Sequence, residues 1–307
     1  VSEEEKLVRT QSGELDAVLG KKFPVLDDGF IRVIDYMGTD ASIVQAARVS
    51  YGAGTKKVSE DRGLIRYLMR HRHTTPFEMC DIKLHIRIPM DAWRQWIRHR
   101  TASVNEYSTR YSLAIDAAQE TPAEGWRRQS EGNKQGSSGF FPLEEGQVFT
   151  RQEKELHSEM RRIYNERVEK GVAREQARKD LPLATYTEAY WKTNLHNLFH
   201  FLALRMDTHA QYEIRTYAEI IGHEIVSKWC PLAWEAFLDY RYHAAGLTAI
   251  EIDVIKLINS NKPQAAIEYM QQKELLKYRD GKLLRNRERS ELEEKMKQLE
   301  LQIPWRK

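Results

Sequence analysis

Apolar and polar residues alternate from Cys80 to Ile88: Cys80, Ile82, Leu84, Ile86 and Ile88 fall on one side, Asp81, Lys83, His85 and Arg87 on the other. That two-residue period predicts a strand with one buried face. Weaker alternations predict strands over 30–36, where Ile31 and Val33 flank Arg32, and over 185–193, where Tyr186, Glu188 and Tyr190 oppose Thr187, Ala189 and Trp191. Elsewhere the period is helical. Asp40 is placed to cap a short helix carrying Ile43, Ala46 and Ala47, and Ser59 a second with Leu64, Ile65, Leu68 and Met69 on its face, ending near His71. Asp91, after Pro89, caps a third with Trp93, Trp96 and Ile97, which runs into Arg98-His99-Arg100. Helical spacing returns from Arg151 to Gly171, and then over roughly 195–206 and 210–228, until Pro231 stops it.

Three stretches break these patterns. Residues 1–27 are polar and mixed, an extension before the first strand. Residues 113–150 are rich in Gly, Ser, Gln and Glu and read as a long loop or insertion. Residues 243–307 form a charged helical appendage in which Leu292, Met296 and Leu299, at four-then-three spacing, are suited to pairing with another helix. The body, 28–242, is therefore an α+β domain, an antiparallel sheet packed by helices, without βαβ regularity or internal repeats.

Composition narrows the class. No run approaches the ~18 consecutive apolar residues of a membrane helix, and the opening VSEEEKLVRT is acidic where a signal peptide is basic, so a cytoplasmic protein is expected. Two cysteines, Cys80 and Cys230, are too few for a disulfide framework and lack metal-site spacing. The net charge of +3 is accounted for by the tail from 271 onward, so charge gives no case for nucleic-acid binding.

The densest chemistry lies in 95–112, where Gln95, Arg98, His99, Arg100, Asn105, Glu106, Ser108, Thr109 and Arg110 are interleaved with Trp96, Tyr107 and Tyr111. Guanidiniums bind phosphates through paired donors, and amides and hydroxyls read the edges of ring systems. The plain alternative is a solvated basic helix end and a polar loop; the aromatics, with Trp93, argue that part of it is buried. A second group, His71 to Glu78, reads as a helix C-terminus or a ligand pair. A third contains Asn194, His196, His200, Arg205, Asp207, His209 and Gln211; His196 and His200 share a helix face but lack the HExxH glutamate. Gly52-Ala53-Gly54 lacks the third glycine of a dinucleotide fingerprint, and neither a P-loop nor GxSxG occurs.

Arg98-His99-Arg100, seven residues, then Ser108 resembles the signature of the flavin-dependent thymidylate synthases. His73 to Glu78, Arg174 to Arg178, Leu181-Pro182, Asn194 and Leu204 to Gln211 resemble further segments in that family's order, over about 28–242. The resemblance implies a homotetramer with active sites shared between subunits, each with FAD facing dUMP, and methylation of dUMP to dTMP with methylenetetrahydrofolate as donor and NADPH as reductant. By matched position, His73, Thr75, Arg98, His99, Arg100, Glu106, Asn194, His196 and His200 would hold FAD. Gln95, Arg98, Glu106, Ser108, Thr109, Arg110, Arg178 and Arg205 would hold dUMP, Thr109 through its backbone. Arg205 would stabilise charge on uracil as N3 loses its proton, and Ser108 would orient the substrate. No metal is implied. An RNA-binding module or a His-based metal hydrolase are the rival classes.

Overall fold

The computed structural model describes residues 8–49, 58–130 and 136–306. The chain divides into two compact units, Val1–Tyr242 and His243–Lys307. In chain order the first contains α1 (Gly13–Asp16), β1 (Phe23–Val25), β2 (Gly29–Met37), α2 (Asp40–Val49), α3 (Val58–Arg70), β3 (Asp81–Pro89), α4 (Met90–Trp96) and β4 (Ser103–Glu106). A small hairpin follows, β5 (Arg127–Gln129) and β6 (Ser137–Phe140), then α5 (Leu143–Glu169), α6 (Arg174–Ala177), β7 (Tyr186–Asn194), α7 (Leu195–Arg205), α8 (Tyr212–Ile220), α9 (Ser227–Trp229) and α10 (Pro231–Phe237).

Five strands form one antiparallel sheet in the order β1-β2-β3-β7-β4. The alternation in β3 is realised in full: Ile82, Leu84, Ile86 and Ile88 are completely buried, and the strand pairs with β7 along its whole length, from Asp81 opposite Asn194 to Pro89 opposite Tyr186. The helices cover this apolar face. Trp96, in the last turn of α4, is wholly buried, with its ring centroid 4.5 Å from Phe201 on α7, 5.3 Å from Trp191 on β7 and 6.1 Å from Tyr217 on α8. One side chain thus ties three elements to the end of α4.

Several expectations are corrected. The extension expected before the first strand joins the main core within its described residues, 8–27: Leu15 and Val25 lie in that core, and Ser12 Oγ donates to Lys228 O at 2.6 Å. Asp40 does not cap its own helix; its carboxylate accepts the backbone N–H groups of Leu232 (2.8 Å) and Ala233 (3.0 Å), capping α10 from across the fold. Pro231, read as a stop, is the first residue of α10, where its missing N–H costs nothing. Pro89 rather than Asp91 holds the N-cap position of α4. The Ser59 cap lies outside the described side chains, and the Gly52-Ala53-Gly54 segment outside the described residues. The 113–150 stretch carries the β5–β6 hairpin and the start of α5, eight residues before the helical spacing became visible at Arg151. It packs on that helix closely enough that a Cβ at Gly146 would sit 1.9 Å from Ala123 O.

The second unit has its own core of Val254, Met270, Leu275, Leu276, Leu292, Met296 and Trp305. Its elements are α11 (Ala249–Asn259), begun by a Thr248–Glu251 capping box, α12 (Pro263–Gln272), a hairpin of β8 (Tyr278–Arg279) and β9 (Lys282–Leu283), and α13 (Arg287–Gln298). Leu292 and Met296 are consumed in this core and Leu299 is exposed, so the expected helix-pairing stripe is satisfied internally. Among the described residues no helix is long and apolar enough to cross a membrane.

Burial pushes the Asp40 carboxyl up to about 6 despite the two backbone donors. The folded chain therefore holds this proton more tightly than the unfolded chain, and the stability it contributes at low pH is lost as pH rises through about 4 to 6. Chemical denaturation of Asp40→Asn should lack that decline, which is on the order of 3 kcal/mol in the parent. Parallel pH–stability curves for the two proteins would overturn the assignment.

Candidate active site

The end of α4 and the end of α7 meet at three residues. Arg205 Nε donates to His99 Nε2 at 3.0 Å, and its Nη2 donates to the backbone oxygen of Gln95 at 3.2 Å. A guanidinium has five N–H donors, so these contacts leave three for a ligand. Burial pushes the His99 ring down to about 4, and the charges of Arg205 and His200 push the same way. His99 is thus a neutral acceptor at Nε2, which places its proton on Nδ1. Arg205 is itself lowered by burial, the expected sign for a half-buried cation.

A second group forms beyond β4. Ser108 opens a tight turn, its backbone oxygen accepting from Tyr111 N (3.2 Å) and Ser112 N (3.1 Å) and its hydroxyl from Arg110 N (3.4 Å). Arg178, at the end of α6, donates to the Thr109 hydroxyl. Glu106, exposed at the end of β4, accepts from Thr187 Oγ1 at 3.0 Å. Trp93 and Trp96 are buried as expected, but Tyr107 and Tyr111 are exposed, 38% and 76%. Only the helical part of the 95–112 segment is core. No hydrogen bond joins this group to the Arg205 group among the described residues.

The third group surrounds a cavity of about 170 Å³ lined in part by Arg72, His73, Thr74, His196, His200 and Arg241. Its wall is set by how α3 ends: His73 N bonds to Leu68 O (2.9 Å) and Arg72 N to Met69 O (3.3 Å), with Arg72 at φ 60. This is a Schellman arrangement in which an arginine takes the left-handed position usual for glycine. On the facing wall, the side chain of Asn194 caps α7 by accepting Asn197 N at 2.9 Å, which fixes His196 and His200 one turn apart. The His99 and His200 rings are 5.9 Å apart, linking the cavity to the Arg205 group. Thr75 is exposed at the start of the turn Thr75–Met79, whose Phe77 is buried, and Arg98 and Arg100 are exposed with no ion pair to any described residue.

Sequence reading gave no site role to Asp91, read there as a cap, or to Thr74 within the His71–Glu78 group, and did not single out Arg241. Asp91 Oδ2 accepts Gln211 Nε2 at 2.9 Å, and burial chiefly pushes its carboxyl up. Its i,i+4 relation to Gln95 on α4 was the available signal. Both cysteines are buried and free, and burial pushes the Cys230 thiol up, with the same effect from its hydrogen bond to Cys80. Among the described residues no three His, Cys, Asp or Glu side chains converge to hold a metal ion.

A family model described as thymidylate synthase complementing protein matches residues 32–232. A flavin-dependent thymidylate synthase from Wolbachia pipientis wMel is 50% identical over 248 residues, covering 81% of this chain and 87% of its own length. One from Rickettsia conorii is 50% identical over 262 residues, covering 81% and 89%. A crystal structure of a UMP/dUMP methylase, PolB from Streptomyces cacaoi bound with 5-Br dUMP, matches with a TM-score of 0.64 at 31% identity, covering 72% of this chain and 99% of that one.

The Arg205–His99 contact makes a measurable demand. Because unfolded histidine titrates near 6.5, the unfolded chain takes up this proton first, so His99 destabilises the fold as pH falls from 6.5 to about 4. In NMR of histidine-labelled protein, the His99 midpoint should lie near 4 and move up in Arg205→Ala, which removes the adjacent cation. An unmoved midpoint would exclude the contact.

Proposed function

The chain belongs to the flavin-dependent thymidylate synthases and methylates dUMP to dTMP with FAD, and from that premise we propose how its own residues divide the work. When bound, FAD supplies the carbon and hydride transfer chemistry. Methylenetetrahydrofolate is the one-carbon donor and NADPH the reductant. The donor set fits a dinucleotide with a diphosphate: His73, His196, His200, Arg72 and Arg241 border one cavity, and exposed Arg98 and Arg100 have no anionic partner among the described residues. Thr75, His99, Glu106 and Asn194 complete the flavin side.

Arg205 carries the assignment. Its guanidinium is pinned by His99 and Gln95 with three N–H groups to spare, positioned by the rigid ends of two helices rather than by a loop. A fixed cation in a partly desolvated setting stabilises charge developing on uracil when N3 loses its proton. Neutral His99 orients Arg205 without adding a competing charge. Gln95 contacts the nucleotide, as do Arg98 and Glu106; Ser108 and Thr109 orient it, and Arg110 and Arg178 hold its phosphate.

We assign the protein to a homotetramer with shared sites. Two observations support this: the nucleotide-binding residues form two groups without a hydrogen bond between them among the described residues, and the 170 Å³ cavity is small beside the ~300–1,000 Å³ usual for ligand pockets. A second copy would complete both.

Arg205→Ala should fold and retain FAD yet lose dTMP formation by at least about a hundredfold in kcat, read by coupled product assay and flavin absorbance; near-normal turnover would remove Arg205 from the mechanism. The double variant Cys80→Ala/Cys230→Ala should still turn over, since neither buried thiol is suited to attack uracil. An inactive but folded, FAD-loaded double variant would overturn a cysteine-free mechanism.

A further inference from the structure

Asp91 and Gln95 lie four residues apart on one face of α4, and Gln211, at the start of α8, bridges them. Gln211 Nε2 donates to Asp91 Oδ2 at 2.9 Å, and Gln211 Oε1 accepts from Gln95 Nε2. Each side-chain amide has a donating and an accepting end, so two in series can run in either direction. An ionised carboxylate only accepts. With Asp91 at one end, Gln211 must turn its NH2 toward the carboxylate and its oxygen toward Gln95, and Gln95 must turn its NH2 toward Gln211. The nearby cation Arg127 is engaged by Glu213 at 2.8 Å. What remains is Gln95 Oε1, without a partner among the described residues, on the residue whose backbone oxygen already anchors Arg205.

We propose that Asp91 is a positioning residue that, through Gln211, fixes the polarity of Gln95 so that its carbonyl oxygen accepts a hydrogen bond from a neutral donor on dUMP, the uracil N3–H or the deoxyribose 3′-OH. This rests on the reading above that Gln95 lies against the nucleotide. A reversed amide would set N–H against N–H or O–H and leave a donor unpaired, which costs more than a missing contact. The relay therefore acts on substrate recognition and not on flavin binding.

The test pairs variants with substrate analogues. Calorimetry at pH 8 on FAD-loaded enzyme would compare dUMP, its 3′-deoxy analogue and its N3-methyl analogue, using the parent, Asp91→Asn and Gln211→Met. The parent should bind the analogue lacking the recognised donor roughly tenfold more weakly than dUMP. Both variants should bind dUMP roughly tenfold more weakly, yet bind that analogue as the parent does; KM for dUMP should rise while kcat stays within about twofold. Loss of affinity from the bulk of a methyl group would persist in the variants, so the vanished discrimination is the signature. Full discrimination retained in either folded variant, or none in the parent, would overturn the proposal. Separately, Gln95→Ala binding dUMP as tightly as the parent would remove the underlying contact itself.

Discussion

The burial of Trp96 is the constraint on which the site depends. Its ring meets α7, β7 and α8 at once, and Gln95 just before it and His99 three residues after it are therefore held against Arg205 by core packing rather than by surface contacts. Losing an aromatic side chain of this kind typically costs about 3–5 kcal/mol. Here the loss would also release the orientation of α4, so stability and site geometry share one cause. The sheet contributes the other half: β7 runs straight into α7, and its register with β3 decides where Asn194 caps that helix.

Charge in the site follows from the same burial. Half-buried Arg205 lies beside an imidazole that burial and its own field keep neutral, so one positive charge rather than two is presented at this point. Exposed Arg98 and Arg100 are poised differently, in water and without counter-ions among the described residues. Cations left unneutralised on the surface suit diffusing anionic ligands, whereas a partly desolvated one suits charge that appears only during reaction.

Much of this was legible in sequence. The strands β3 and β7 were visible because alternation and burial coincide along most of their length, Tyr186 being buried on the face that also carries exposed Tyr190, and the arginine-rich segment because it is chemically dense. Where reading failed, the deciding contact was distant in sequence. Asp40 caps a helix that begins at Pro231, which local rules cannot express. The onset of α5 was hidden because its first turns pack on their own preceding segment through Gly146, leaving no apolar stripe. Strand β4 has four exposed residues and hence no alternation to detect. Asp91 was read as a local cap when its oxygen was engaged with Gln211, and Arg241 lies beyond the segments that carried the motifs.

The left-handed backbone at Arg72 has a thermodynamic corollary. A non-glycine residue there carries roughly 1–2 kcal/mol of conformational strain, which a glycine would relieve at the cost of the guanidinium that borders the cavity. The helix end is thus not at its own energy minimum: ligand binding and intrinsic stability make opposite demands on a single backbone angle. Anion binding at the cavity would offset that strain by mass action, so the folded state's tolerance of heat should depend on how much ligand the solution holds.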